Sequence, residues 1–176
     1  DSDEYEVLKL GDEILTTALT CTATNWPILA NGFNIKWVDI DPTTLNMDLD
    51  DLARKITAKT KAIIVVHWGG YPINLDKLKR IQYQAYQLYG FKPIIIEDCA
   101  HGLLDFVSGV QQPDPRVAAR ICSINKILPT IDGGLLYMYA QPAQQPQHCG
   151  WYEELKGVAF LLKIPQLLQR VRKRRN

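Results

Sequence analysis

Ile94-Ile95-Ile96-Glu97-Asp98-Cys99-Ala100-His101 is the stretch that decides the fold of this chain. Three isoleucines lead into two carboxylates, a small thiol and an imidazole. The pattern predicts a buried strand over residues 93–99 with an acidic carboxyl end. Just upstream, residues 74–89 carry the strongest helical signal. Leu75, Leu78, Ile81, Ala85 and Leu88 form one stripe, and Gly90 stops it. Before that helix, Ala62-Ile63-Ile64-Val65-Val66 lies in a continuous apolar run over residues 61–68. Such a run fits a central parallel strand covered on both faces.

The same alternation continues toward the N-terminus. Residues 48–57 place Leu49, Leu52 and Ile56 at helical spacing, with Asp48 as an N-cap. Residues 34–40 read as a strand. Residues 25–31 read as a short helix, with Asn25 as cap, Pro27 in the first turn and Gly32 after the end. Residues 13–19 read as a first strand after a Gly11-Asp12 turn. Downstream, residues 116–124 and 134–139 are two further strand candidates. Strand, helix, strand, helix, strand, helix, strand predicts an α/β domain: a mainly parallel sheet flanked by helices, with right-handed crossovers. Ligands in such sheets bind beyond the carboxyl ends of the strands. His67, Trp68, Asp98 and His101 fall at those ends.

A lysine and a glycine pair complete the region: Ser123-Ile124-Asn125-Lys126, then Asp132-Gly133-Gly134. A carboxylate and a lysine in this order suit a pyridine-aldehyde cofactor, pyridoxal 5′-phosphate. The amine forms a Schiff base with the aldehyde, and the carboxylate keeps the ring nitrogen protonated. Each residue also has a plainer reading. Asp98 serves equally as a helix cap or an ion-pair partner. His101 could cap a loop or contact the cofactor ring. Lys126 reads as a solvated loop lysine, or, between Cys122-Ser123 and Ile127-Leu128-Pro129, as a partly buried one with a usable neutral amine. Ser123 could donate to a phosphate or simply face solvent. Cys21-Thr22-Ala23-Thr24-Asn25 lies between a strand and a helix, a common place for ligand contacts, but reads first as helix N-cap chemistry.

Composition narrows the alternatives. The chain has 176 residues, 47% of them hydrophobic, which is enough for one domain with a sizeable core. A net charge of +1 gives no reason to expect nucleic acid. The run Arg170-Val171-Arg172-Lys173-Arg174-Arg175 lacks interleaved aromatics and reads as a solvated end, the rival being a polyanion-binding tail. Cys21, Cys99, Cys122 and Cys149 show no metal-ligand spacing and are expected reduced, as in a cytoplasmic protein. No apolar run approaches the roughly 18 residues of a membrane span.

Taken together, the segments resemble the DegT/DnrJ/EryC1/StrS family of sugar aminotransferases. The resemblance is carried, in order, by Gly11-Asp12-Glu13-Ile14, Thr20-Cys21-Thr22-Ala23-Thr24-Asn25, Val38-Asp39-Ile40-Asp41-Pro42 with Thr44-Leu45-Asn46, residues 57–67, Glu97-Asp98-Cys99-Ala100-His101 and residues 126–134. It implies the large domain of the fold type I pyridoxal-phosphate-dependent transferases, incomplete at both ends. Lys126 would be the Schiff-base lysine and general acid/base. Asp98 would hold the pyridine nitrogen, His101 would lie beside the ring, and Ser123 would contact the phosphate. Lysine at position 126 argues against the family's dehydratase branch, where histidine stands. The implied reaction passes an amine from glutamate or another amino acid to the ketone of a nucleotide-linked keto sugar, in a homodimer.

The family's N-terminal phosphate loop and its C-terminal small domain have no counterpart in these residues. Ile131 replaces a frequent glycine, and Cys21 stands where many members put an aromatic. Residues 1–140 are accordingly expected to be a partial large domain, and residues 141–176 a divergent helical segment with a basic tail. The alternative is a truncated, non-catalytic relative that serves as a binding domain.

Overall fold

A computed structural model describes residues 8–104, 114 and 117–138 of the chain. Residues 141–176, the basic run and Cys149 lie outside the described residues.

Six strands form one sheet: β1 (Glu13–Thr17), β2 (Asn34–Val38), β3 (Thr60–Val66), β4 (Ile94–Asp98), β5 (Ala119–Ser123) and β6 (Gly134–Met138). Their spatial order is β2-β1-β3-β4-β5-β6. The pairs from β2 to β5 are parallel, and β6 runs antiparallel to β5. Among the described residues, three helices make the crossovers from β1 to β4: α1 (Thr22–Ala30), α2 (Leu49–Lys55) and α3 (Leu75–Tyr89). The α/β architecture with a mainly parallel sheet is the one expected from the sequence.

The continuous apolar runs are explained by two covered faces. On one, Leu15, Ile63, Val65 and Ile95 pack against Leu49 and Leu52 of α2 and Leu78, Ile81 and Ala85 of α3. On the other, Ile14 and Ala62 pack against Ile28 of α1. Strand side chains alternate between faces, so neighbours such as Ile14 and Leu15 serve different helices. Each fully buried aliphatic side chain contributes about 1.5–3 kcal/mol relative to exposure.

Local chemistry sets the helix ends. The Asp48 carboxylate accepts from the backbone of Asp50 and Asp51, and Asn74 accepts from Lys77 N–H. These caps satisfy donors that the first helical turn leaves free. Gly90 closes α3 at φ 79°, a left-handed conformation that favours glycine, and its N–H reaches Tyr86 O. Gln82 ties α3 to the start of β4 by donating to the Pro93 carbonyl at 2.6 Å.

Several boundaries differ from the sequence-based expectation. α1 starts at Thr22, with Cys21 and not Asn25 at the N-cap, and no side chain caps it. Asn25 lies inside the helix because its amide serves β1: it accepts from the Thr16 hydroxyl and donates to Thr17 O. β3 ends at Val66, where the chain turns through a short 3-10 segment, Trp68–Gly70. β1 ends at Thr17 and β2 at Val38; Ile40 makes only an isolated bridge with Met47.

Candidate functional site

From β1 the chain crosses to β2 on one side and returns to β3 on the other. The carboxyl ends of β1 and β3 therefore diverge, and crevices at such reversals hold ligands in open α/β sheets. A cleft of about 570 Å³ opens there, lined by residues that follow β1, β3, β4 and β5. Its size falls within the roughly 300–1,000 Å³ typical of small-molecule sites. Ile64, Ile96 and Ile121 supply apolar wall, while Thr24, Asp98 and His101 supply polar groups.

Asp98 sits on the cleft floor at the end of β4. Its Oδ2 accepts the Thr24 hydroxyl at 2.6 Å, and its Oδ1 accepts Ala100 N–H at 3.0 Å. A carboxylate has about four lone-pair sites, so two bonds leave acceptor capacity for a ligand. The backbone is fixed as well, because His67 N–H donates to Asp98 O at 2.9 Å. Neither plain reading of Asp98, as helix cap or ion-pair partner, describes these contacts; its backbone bond to Ala100 is a local turn.

Glu97 points the opposite way, as strand alternation demands, and is fully buried. Arg120 meets it from β5, with Nε at 2.8 Å and Nη2 at 2.7 Å from Oε2. His67 Nε2 lies 3.1 Å from Oε1. Burial alone would raise the Glu97 carboxyl. The neighbouring His67 imidazole and Arg120 guanidinium outweigh it and hold the group below its ordinary range. His67, Glu97 and Cys99 bring three potential ligand atoms within 4.8 Å of one another. The Arg120 guanidinium already neutralises Glu97 there, and it repels a second cation. We therefore read the cluster as a buried ion-pair network.

Cys99 and Cys122 are buried side by side beneath the cleft, free of any disulfide. Their mutual hydrogen bond and burial push the Cys99 thiol up, while the same bond pulls Cys122 down.

The remaining residues singled out in the sequence also reach this cleft. His101 and Lys126 line it and are exposed. The partial burial expected of Lys126 is not found. Its apolar neighbours Ile127 and Leu128 fold inward against Cys99 and Cys122, and the lysine is left at the rim. Ser123 is half-buried and donates its hydroxyl to Asn125 Oδ1. Gly70, at φ 87°, passes close to His101: a Cβ there would come within 3.1 Å of the His101 carbonyl. Asn46 fixes this loop by accepting from Trp68 N–H and donating to Tyr71 O. Arg120 was not singled out from the sequence, Thr24 read first as cap chemistry, and Asn46 entered only through the family resemblance. An arginine within an apolar strand, two places from Cys122, is the one local signal that pointed to a buried anion.

Comparison with known proteins places this geometry. The DegT/DnrJ/EryC1/StrS aminotransferase family matches residues 4–134. The crystal structure of the sugar aminotransferase CalS13 from Micromonospora echinospora is 45% identical, with a TM-score of 0.65; the match covers 73% of this chain and 35% of that one. The dTDP-4-dehydro-2,3,6-trideoxy-D-glucose 4-aminotransferase of Saccharopolyspora spinosa is 32% identical over 75% of this chain and 34% of its own length. The GDP-4-keto-6-deoxy-D-mannose 3-dehydratase of Yersinia pseudotuberculosis is 44% identical over 42% of this chain and 19% of its own length. The chain thus spans about a third or less of these relatives. Because the family match takes in most of its residues and every element around the cleft, the chain belongs to the DegT/DnrJ/EryC1/StrS aminotransferase family.

Proposed function

We propose that the chain carries the cofactor-holding core of a sugar aminotransferase, with pyridoxal 5′-phosphate in the Asp98 cleft and a nucleotide-linked keto sugar as amine acceptor. The convergence of Asp98, His101 and Lys126 on one cleft carries the reading. The donor set suits the group. Asp98 keeps free lone pairs on the cleft floor for a ring N–H, and Gly70 leaves room where a side chain would press on His101. When bound, the cofactor supplies an aldehyde that captures amines and a ring that accepts the electron pair released at the substrate carbon.

The chain's own residues do the rest. Lys126 offers a primary amine at the rim and carries the proton to and from the substrate carbon. Asp98 holds the proton on the ring nitrogen. His101 orients the ring from the side. Ser123 reaches the phosphate by exchanging Asn125 for a phosphate oxygen. Glutamate or another amino acid is the donor, and a homodimer the working form. Lys126 favours transamination over the dehydratase activity of some relatives, since the resemblance puts histidine there in that branch. Among the described residues no helix is long and apolar enough to cross a membrane. The free thiols of Cys21, Cys99 and Cys122 fit a cytoplasmic location.

The test is the visible absorption of the chain after incubation with pyridoxal phosphate and desalting, beside Lys126→Ala. A band red-shifted from the free cofactor is expected in the native chain and not in the variant. A colourless native chain after desalting would contradict the reading.

A further inference from the structure

Thr24 carries unassigned geometry in the cleft. It donates to Asp98 Oδ2 at 2.6 Å across 74 positions of sequence. That length is typical of a hydroxyl bonded to an ionised carboxylate, about 2.5–2.7 Å. A threonine hydroxyl has one hydrogen. Given to Asp98, it leaves the Thr24 oxygen only an acceptor role, and Thr20 Oγ1 lies 3.1 Å from it. Thr20 must therefore donate, and the direction is fixed: Thr20 to Thr24 to Asp98. This chain links the residues after β1, through the first turn of α1, to the end of β4.

The anchor behind it is firm. Asn25, the next residue of α1, is tied to β1 by its bonds with Thr16 at 3.3 Å and Thr17 O at 3.0 Å. With Thr24 on one oxygen and Ala100 N–H on the other, both ends of the Asp98 carboxylate are held and its plane is set.

We propose that Thr24, backed by Thr20, is a positioning residue that aims the Asp98 carboxylate at the ring nitrogen of a pyridine cofactor. The proposal rests on reading the cleft as a pyridoxal-phosphate site. It acts through Asp98, so its effect is confined to ligands with a ring nitrogen.

The experiment measures affinity of the full chain for two ligands: pyridoxal phosphate, and its carbocyclic analogue in which the ring nitrogen is replaced by a C–H. Native chain, Thr24→Val and Thr24→Ser are compared, with folding checked by circular dichroism. Thr24→Val is expected to lose about tenfold for pyridoxal phosphate, the scale of one charge-assisted hydrogen bond, and nothing for the analogue. Thr24→Ser is expected to restore the difference. Equal loss for both ligands, or no loss for either, would overturn the proposal. If Thr24→Val does not fold, Thr20→Val takes its place, with a smaller loss in the same ligand-selective sense expected; no loss would overturn the relay. A native chain that binds both ligands equally would instead remove Asp98 from the ring nitrogen, and the reading of the cleft would fail first.

Discussion

Glu97 and Arg120 are direct register partners across β4 and β5, and two guanidinium nitrogens meet one carboxylate oxygen at 2.7 and 2.8 Å. Both side chains are fully buried, directly behind the strand residue that faces the cleft. Removing the Glu97 charge takes this two-nitrogen ion pair away from a guanidinium held in a low-dielectric interior. Glu97→Gln is expected to cost about 3–5 kcal/mol in denaturant unfolding. Replacing both, as Glu97→Leu with Arg120→Met, is expected to cost much less, because the desolvation cost of both buried charges goes with their attraction. A double variant as unstable as Glu97→Gln would show that the pair acts through something other than its charges.

The same network sets an acid limit. Glu97 has its carboxyl held below the ordinary 4.5, chiefly by His67 and Arg120 against the cost of burial. A lowered folded-state value contributes stability that is present above about pH 4.5 and is lost as pH falls below it. Stability is therefore expected to fall steeply in that acid range. In Glu97→Gln the fall is expected to be shallower, although the variant is weaker at neutral pH. Parallel acid-unfolding profiles for the two proteins would remove Glu97 as the source.

Helix α3 depends on its first cap. Asn74 Oδ1 accepts Lys77 N–H at 2.9 Å. Asn74→Ala is expected to lower stability by about 1 kcal/mol, and Asn74→Asp by far less, measured by thermal or denaturant unfolding. Equal losses in both would mean that the cap bond contributes little.

Thiol chemistry should divide by position. Cys21 is exposed, whereas Cys99 and Cys122 are buried in mutual contact, with the Cys99 thiol pushed up by that contact and by burial. Under native conditions a maleimide is expected to label Cys21 quickly, and Cys99 and Cys122 only after denaturant is added. Peptide mapping by mass spectrometry reads the result. Fast native labelling of Cys99 would contradict the packing under the cleft.

What the sequence disclosed and what it hid follow from the range of the interactions. The runs 62–66 and 94–96 announced strands with both faces covered, because that burial leaves a local mark. The apolar stripe over 74–89 and Gly90 announced α3 and its end, because amphipathic spacing and a glycine stop are also local marks. The start of α1 was hidden: Cys21 caps nothing with its side chain, and Asn25 looks like a cap while its amide is engaged with β1. The Glu97–Arg120 pair was hidden too, since only the strand order brings together residues 23 positions apart. Thr24 looked like cap chemistry, and its bond to Asp98 exists only once β1 and β4 flank β3. For Lys126 the sequence left a solvated and a partly buried reading open, and the structure takes the solvated one. Its apolar neighbours Ile127 and Leu128 suggested burial that they take for themselves.

The central claim is that Lys126 presents the reactive amine to a cofactor held by Asp98. Its most direct test is borohydride reduction of the pyridoxal-phosphate-treated chain, followed by proteolysis and mass spectrometry. The account predicts a single pyridoxyl adduct on the peptide containing Lys126, abolished in Lys126→Ala and weakened in Asp98→Asn. An adduct spread over exposed lysines such as Lys9 and Lys59, unchanged in both variants, would contradict it.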